Sequence, residues 1–331
     1  MATTYSIIIA TYNAAKYLET ALQSVFSQTV NDYELILIDG GSKDGTVEII
    51  KKHQDRIAYW VSEKDQGIYD AWNKGVEQAK GDWVLFIGSD DTLVPDALEA
   101  YSDFIKAHNI ITGSKATLIG TAGPEDSADA TLVLKDAGVL NTSGILGTDS
   151  APIDASGVLN TSHITSNGTA PIDASAVAIP ETAGREIEYI SSKNQMLDLQ
   201  GAPIRIKGWR WEWPLFLKEM TVCHPGSLHS KDLFEKYGKY NIRYKIVGDY
   251  EFLLRPKNNL KAAFLDKVTV NMLEGGASES IKAVWEAFQA TTETGRAERI
   301  PALLNAYLII GKFKIKHALR AVGINAYLKK V

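Results

Sequence analysis

The first hundred residues switch repeatedly between two hydrophobic periods, and that switching restricts the fold more than any other feature of the chain. "YSIIIA" (5–10) is a short uninterrupted apolar run, the pattern of a strand covered on both faces. Ala14, Leu18, Ala21, Leu22, Val25 and Phe26 then recur at helical spacing as far as Gln28, with Asn13 placed to cap the helix start. "YELILID" (33–39), "TVEIIKKHQ" (46–54) and "IAYWVS" (57–62) read as strand, helix and strand. A helix within 68–80, the strand "DWVLFIG" (82–88) and a helix over "PDALEAYSDFIKAHN" (95–109) follow, with Pro95 at a helix start where its missing N–H does no harm. Strands and helices taking turns predict an α/β domain on a doubly wound, parallel sheet.

The pattern breaks after that. Between about residues 112 and 184 Ala, Thr, Ser, Gly and Asp dominate, and "VLNTSGILGTDSAPIDAS" (139–156) recurs as "VLNTSHITSNGTAPIDAS" (158–175). Val139-Leu140 and Val158-Leu159, separated by turn residues, suit hairpins or a small solenoid, but two copies are few for a solenoid. A flexible surface insertion is the expectation. Strand-and-helix patterning returns with "EIEYISSKNQMLDLQG" (186–201), and the chain from Ser280 reads as helices. Four segments are therefore expected: 1–111, an insertion at 112–185, 186–279, and a helical tail at 280–331.

Composition narrows the function classes. A net charge of −5 argues against a general nucleic-acid binder. The single cysteine, Cys223, excludes an internal disulfide and a four-cysteine zinc site and fits a reducing, cytoplasmic setting. "YSIIIATYN" lacks the basic segment and long apolar core of a signal peptide, and no apolar run approaches the ~20 residues that span a bilayer. In that setting the sequons at Asn141, Asn160 and Asn167 carry no meaning.

In a doubly wound sheet the ligand crevice lies past the C-terminal ends of the strands. Thr11, Tyr12 and Asn13 follow the first strand, and Asp39 ends the second before "GGSKDGT" (40–46), where Asp44 and Thr46 can cap the next helix. Glu63, Lys64 and Asp65 follow the third strand, and Asp90 and Asp91 the fourth. Carboxylates gathered at one edge suit a divalent cation and sugar hydroxyls. The chain has no G-x-G-x-x-G and no G-x-x-x-x-G-K-[ST], so a diphosphate would be held through Mg²⁺ or Mn²⁺. Asp90 and Asp91 also suit a plain turn cap. A nucleotidyltransferase would need a glycine-rich basic loop after the first strand, and "ATYNAAKY" is not one.

The combination of segments is more specific than any pair. "SIIIATYNAAKYLETALQSVFSQT", "ELILIDGGSKDGT" and "KDQGIYDAWNKGVEQAKGDWVLFIGSDD" resemble, in order and spacing, the N-terminal half of family-2 glycosyltransferases with the GT-A fold, over residues 5–109. "VCHPGSLHSKDLFEKYGKYNIRYKIVGDYEFLLR" and "LEGGAS", within 187–278, resemble the acceptor-side half, nearest to the bacterial branch that builds cell-surface polysaccharides. The resemblance implies a Rossmann-like, mostly parallel sheet flanked by helices. It also implies transfer from a nucleoside-diphosphate sugar, a UDP-sugar first, to a glycan or lipid-linked acceptor, with inversion.

It assigns Thr11, Tyr12, Asn13, Asp39, Asp65, Lys74 and Asp90 to the nucleotide sugar, and Asp90 and Asp91 to Mn²⁺ or Mg²⁺. Asp249 becomes the catalytic base, and His224 and Trp211 fall on the acceptor or diphosphate side. The family's Asp-x-Asp has its first carboxylate where this chain has Gly88, and its usual Gln after the histidine is Pro225 here. Asp249 stands at a predicted helix start, where the dipole favours the ionised form, although a helix cap would look the same. Trp209, Trp211 and Trp213 sit at strand spacing, as a sugar platform or as core cover.

The tail carries Arg299, Lys312, Lys314, Lys316, Arg320, Lys329 and Lys330 against Glu298, interleaved with Leu304, Leu308, Phe313, Ile315 and Leu319. Such a helix either rests on an anionic leaflet, each cation contributing about 1 kcal/mol, or docks with a solvated basic face. The expectation is a cytoplasmic, metal-dependent glycosyltransferase, peripheral at the inner face of the membrane. The rival is a degenerate relative that only binds a nucleotide sugar or glycan.

Overall fold

The computed structural model describes residues 4–112, 118–119, 131–134, 138–141, 185–276, 278 and 280–321. The chain divides into two compact units, Met1–Phe104 with Ile187–Val331, and Ile105–Glu186. The larger unit opens with β1 (Tyr5–Thr11), α1 (Leu18–Phe26), β2 (Tyr33–Asp39), α2 (Thr46–Lys52), β3 (Tyr59–Ser62), α3 (Ile68–Gln78), β4 (Trp83–Gly88), β5 (Thr92–Leu93) and α4 (Ala97–Ala107). In the smaller unit β6 (Ile110–Ile111) pairs with β10 (Arg185–Glu186), and β7 (Leu118–Ile119), β8 (Thr131–Leu134) and β9 (Gly138–Asn141) form an antiparallel three-stranded sheet. The run Val139-Leu140 lies in β9, whereas the second repeat copy, with Val158-Leu159, Asn160 and Asn167, lies outside the described residues.

The larger unit continues with β11 (Tyr189–Leu197), β12 (Pro203–Lys207), α5 (Trp213–Phe216), β13 (Leu228–Ser230), α6 (Lys231–Tyr237), α7 (Gly248–Leu254), β14 (Ala262–Leu273), α8 (Ile281–Glu293) and α9 (Arg299–Ala321). Its sheet runs in the order β3-β2-β1-β4-β13-β11-β14-β5, with β12 on β11. The first half is parallel, and β1, β2 and β4 are buried on both faces, as their continuous apolar runs require, while β3 at the edge is part-exposed. The second half makes the sheet mixed: β13, β12 and β5 each enter antiparallel. Only residues 198–202 separate β11 from β12, too few for a parallel crossover.

Register positions the site. β1 pairs with β2 so that Thr11 lies beside Asp39, β2 with β3 so that Asp39 lies beside Ser62, and β1 with β4 so that Ala10 lies beside Gly88. Thr11, Asp39, Ser62 and Gly88 therefore end at one edge of the sheet.

Three expectations shift. Asn13 does not cap α1: it takes φ 49°, its N–H donates to Ser42 Oγ, and its Oδ1 accepts from Lys43 N, so it ties two loops together while a turn at 14–17 leads into the helix. The helix after Pro95 begins two residues later, at Ala97. The tryptophans share no strand face, because residues 208–212 are irregular and Trp213 opens α5 with Pro214 in its first turn. Gly208, at φ 108°, runs against the β11 backbone where a side chain would strike Ser192 O.

α3 packs on β1 through Gly75, where a Cβ would fall 2.6 Å from Ile8 Cγ2. Gly75→Val is expected to overpack this contact and cost about 1–3 kcal/mol. A lowered urea midpoint checks it; an unchanged midpoint would show that α3 can move away from β1.

Candidate active site

Asp39 is buried at the end of β2 and is held by the chain itself. Its Oδ1 accepts from Thr11 Oγ1 (3.0 Å) and Ser42 Oγ (2.5 Å), and its Oδ2 from Gly41 N (3.1 Å), Ser42 N (2.9 Å) and Ser62 Oγ (2.6 Å). Burial pushes the carboxyl pKa up, but the hydroxyl and amide donors outweigh it and hold Asp39 below the usual range. The loop 40–46 is thus organised around an ionised carboxylate. Asp44 finishes it, accepting from Thr46 N and Oγ1 and from Ala15 N.

Tyr12 and Asp65 meet at this edge over Gly40. Tyr12 is 67% exposed, and a Cβ on Gly40 would fall 2.6 Å from Asp65 Oδ2 and 3.3 Å from the Tyr12 ring. Glycine at position 40 therefore lets an aromatic ring and a carboxylate pack side by side against the loop backbone. Lys74 is engaged nearby: its Nζ lies 2.6 Å from Glu63 Oε1 and 3.8 Å from Asp70 Oδ2, and the Glu63 partner raises its pKa.

Asp90 and Asp91 follow β4. Asp91 is buried, and its Oδ2 accepts from Gly88 N (3.1 Å), so it does cap this turn; Asp90 is exposed. A Cβ at Gly88 would lie 2.8 Å from Asp90 Oδ1 and 2.7 Å from Asp91 Oδ2, so both carboxylates border the space that a side chain at 88 would fill. Burial, and then the charge of Asp90, push the Asp91 pKa from 3.8 to about 7. Two hard oxygen donors around a gap, one of them short of a neutralising charge, fit a divalent cation that completes its shell from a diphosphate. Among the described residues no three His, Cys, Asp or Glu side chains gather where they could hold a metal ion.

The raised Asp91 pKa makes a stability prediction. A carboxyl that binds its proton more tightly when folded loses stability as pH rises from about 4 through about 7, by about 1.4 kcal/mol per pH unit in that interval. With chelator present, Asp91→Asn is expected to exceed the wild type in urea midpoint at pH 8 and to lose that advantage by pH 4. Parallel curves for the two proteins would refute it.

Asp249 occupies the first turn of α7. Its Oδ1 accepts from the Tyr69 hydroxyl (2.9 Å), which also lies 2.7 Å from Ile246 O. Gly248 permits this approach, since a Cβ there would meet the Tyr69 ring at 2.8 Å. Glu286 on α8 fixes the preceding loop, its Oε2 accepting from the amides of Lys245 (3.0 Å), Ile246 (2.8 Å) and Val247 (3.3 Å). Asp249 lines an apolar cavity of about 730 Å³, and burial raises its pKa in spite of the Tyr69 bond. Burial thus outweighs the helix dipole, because the first turn of a seven-residue helix contributes about 1 kcal/mol at most at an ordinary site.

His224 is buried among aromatic rings, stacked on Trp72 (4.7 Å) and Phe86 (5.1 Å), with Nε2 2.8 Å from the Tyr240 hydroxyl. Burial drives its pKa well down and keeps it neutral. Trp211 packs on Phe216 with ring centroids 4.2 Å apart, and Trp209 is the exposed member of the trio. Tyr69 and Glu286 escaped sequence reasoning. Tyr69 lies in the quoted "KDQGIYDAW" run, whereas nothing local marks Glu286.

Residues 6–121 match the family described as Glycosyl transferase family 2. Over 288 residues the chain is 26% identical to a PGL/p-HBAD biosynthesis glycosyltransferase of Mycobacterium bovis (strain BCG / Pasteur 1173P2), covering 84% of this chain and 80% of that protein. S. aureus TarS shares the fold at TM-score 0.52 and 15% identity, covering 90% of this chain, which spans 41% of that longer one. S. aureus TarS 1–349 in complex with UDP-GlcNAc gives TM-score 0.53 at 15% identity, over 90% of this chain and 69% of that one.

Proposed function

We propose, from the premise that this protein is a family-2 glycosyltransferase, that it moves a sugar from a UDP-sugar to a hydroxyl of a glycan or lipid-linked acceptor, with inversion, in the synthesis of bacterial surface polysaccharide. The observation that carries this reading is the convergence at one sheet edge of Tyr12 and Asp65, packed against Gly40, with two carboxylates that meet at Gly88. The exposed Tyr12 ring beside Asp65 suits a flat base and its ribose, and the Asp90–Asp91 pair suits a metal-held diphosphate. UDP as the nucleotide is supported by the UDP-GlcNAc complex of TarS, which shares the fold.

In this reading Asp39 acts on the nucleoside indirectly, by holding the loop against which Tyr12 and Asp65 pack. Mn²⁺ or Mg²⁺ bound by Asp90 and Asp91 would offset charge on the departing diphosphate. Asp249 takes the acceptor proton while the acceptor oxygen bonds to the anomeric carbon and the bond from that carbon to the diphosphate breaks. Tyr69 steadies the carboxylate through its hydroxyl.

The tail belongs to the same reading. Ile300, Leu304, Tyr307, Leu308 and Ile315 are exposed along α9, with Arg299, Lys312 and Lys314 exposed beside them, which suits a cytoplasmic protein resting on an anionic leaflet. Residues 322–331, with Lys329 and Lys330, and the side chains of Lys316, Leu319 and Arg320 lie outside the described residues. No helix among the described residues is long and apolar enough to cross a membrane.

Calorimetric titration with UDP, GDP, CDP and dTDP, each with and without Mn²⁺, tests the donor assignment. UDP is expected to bind in a metal-dependent way, and Asp91→Ala to abolish the metal dependence. Failure of all four nucleotides under both conditions would favour the rival reading, a degenerate relative without turnover.

A further inference from the structure

The cavity beside Asp249 is built for hydrocarbon. Leu217, Met220, Ile246, Ala287, Phe288 and Ile309 are among its walls, contributed by α8, α9, the segment after α5 and the segment before α7. A glycan is held by many directed hydrogen bonds, yet two of the polar side chains here already bond to the protein. Thr291 Oγ1 donates to the carbonyls of Ala287 and Phe288, and Asn305 Nδ2 donates to Lys218 O (2.8 Å).

The cavity also has an outlet. Leu304 and Leu308 line both it and a groove along α9 formed with Tyr307, Gly311, Lys312 and Ile315. Leu308 is 65% exposed, so this route reaches the surface. Lys312 on the groove, with exposed Arg299 and Lys314 on the same helix, gives the outlet a cationic border that complements an anionic lipid surface.

We propose that the acceptor is an amphiphilic alcohol whose hydrocarbon occupies this cavity, with its hydroxyl presented to Asp249 and its far end leaving over Leu304 and Leu308 along α9. This rests on the assignment of Asp249 as base and narrows the acceptor to a lipidic one, drawn from a bilayer surface against which α9 lies. The apolar walls supply affinity in proportion to the methylenes they cover, and the Asp249 carboxylate selects the hydroxyl end.

The test is calorimetric titration of the full chain with n-alkyl β-D-glucosides of six to ten carbons, below their micelle concentrations, with free glucose as the control. Affinity is expected to rise by about fourfold per methylene and to drop by more than tenfold in Ala287→Trp, which fills the cavity. Leu308→Glu, at an exposed position that tolerates a charge, is expected to weaken the longest glucosides most. UDP titration of the same preparations reports independently on the donor half: loss of UDP binding with the chain-length dependence kept would sink the donor assignment and support the lipidic cavity. Affinity that does not vary with chain length, or that both variants leave unchanged, would overturn the proposal. So would sedimentation showing a dimer broken by Leu308→Glu with no glucoside bound, which would give the α9 face to a second copy.

Discussion

Asp249→Asn is expected to lower kcat for sugar transfer on the order of a thousandfold, the scale of a lost general base, while leaving the Kd for UDP in the presence of Mn²⁺ within about twofold. The substitution keeps size and shape, and the Tyr69 hydroxyl can still donate to the amide oxygen. What is lost is the ability to take a proton. Burial raises the carboxyl pKa and Tyr69 lowers it, so the acid limb of the rate profile should lie above the ordinary carboxylate range. Activity therefore rises with pH through that limb, because the base works only when deprotonated. Tyr69→Phe removes the donor and should displace the limb to higher pH. Full activity in Asp249→Asn would remove Asp249 from the chemistry, and an unmoved limb in Tyr69→Phe would remove the tyrosine from its control.

The largest expected effect on stability is that of Asp39→Ala. The change strands the hydroxyls of Thr11, Ser42 and Ser62 and the amides of Gly41 and Ser42, all of which direct their protons at one buried carboxylate. Some of these donors will find water, so the cost is roughly 3–5 kcal/mol rather than the full sum of five bonds. The sign of its pH dependence is opposite to that of Asp91. The Asp39 pKa is depressed on folding, so its contribution is complete above about pH 4 and is lost as pH falls through the lower, folded value. The gap between wild type and Asp39→Ala in urea midpoint should be widest at neutral pH and close in acid. UDP binding should vanish with it, because the placing of Tyr12 and Asp65 over Gly40 depends on the loop that Asp39 holds. A variant as stable as the wild type would show that water satisfies these donors, and that Asp39 is free to touch the nucleoside itself.

The sequence identified these residues better than it identified what they do. Asp39 was legible because an acid at the end of an apolar strand, followed by two glycines, has few ordinary explanations. Its five partners were not, since Thr11 and Ser62 reach it from neighbouring strands and only parallel register brings them there. Asp90 and Asp91 look alike in sequence and differ in space: one faces solvent, and the other turns back onto Gly88 N. His224 stood out in "CHPG", but its environment of Trp72, Phe86 and Tyr240 comes from three separate segments. The tryptophan spacing misled because period two is also what an irregular segment shows by accident, and Gly208 and Pro214 punctuated it on both sides.

Glu286 marks the limit. It lies well past the last segment that resembles the family, yet its carboxylate gathers three consecutive amides just before Asp249. No local pattern announces such a contact. Short-range rules of period, capping and turn chemistry act within a few residues, so the sequence by itself determined the strands and helices of the first half, the crevice edge and the acids that line it. Burial, strand register and long-range hydrogen bonding are set only when distant segments pack. They decided which carboxylate is ionised, which is pushed toward neutrality, and that the base candidate opens onto a hydrocarbon cavity. A pKa follows from the whole surroundings of a group, and most of those surroundings are far away along the chain.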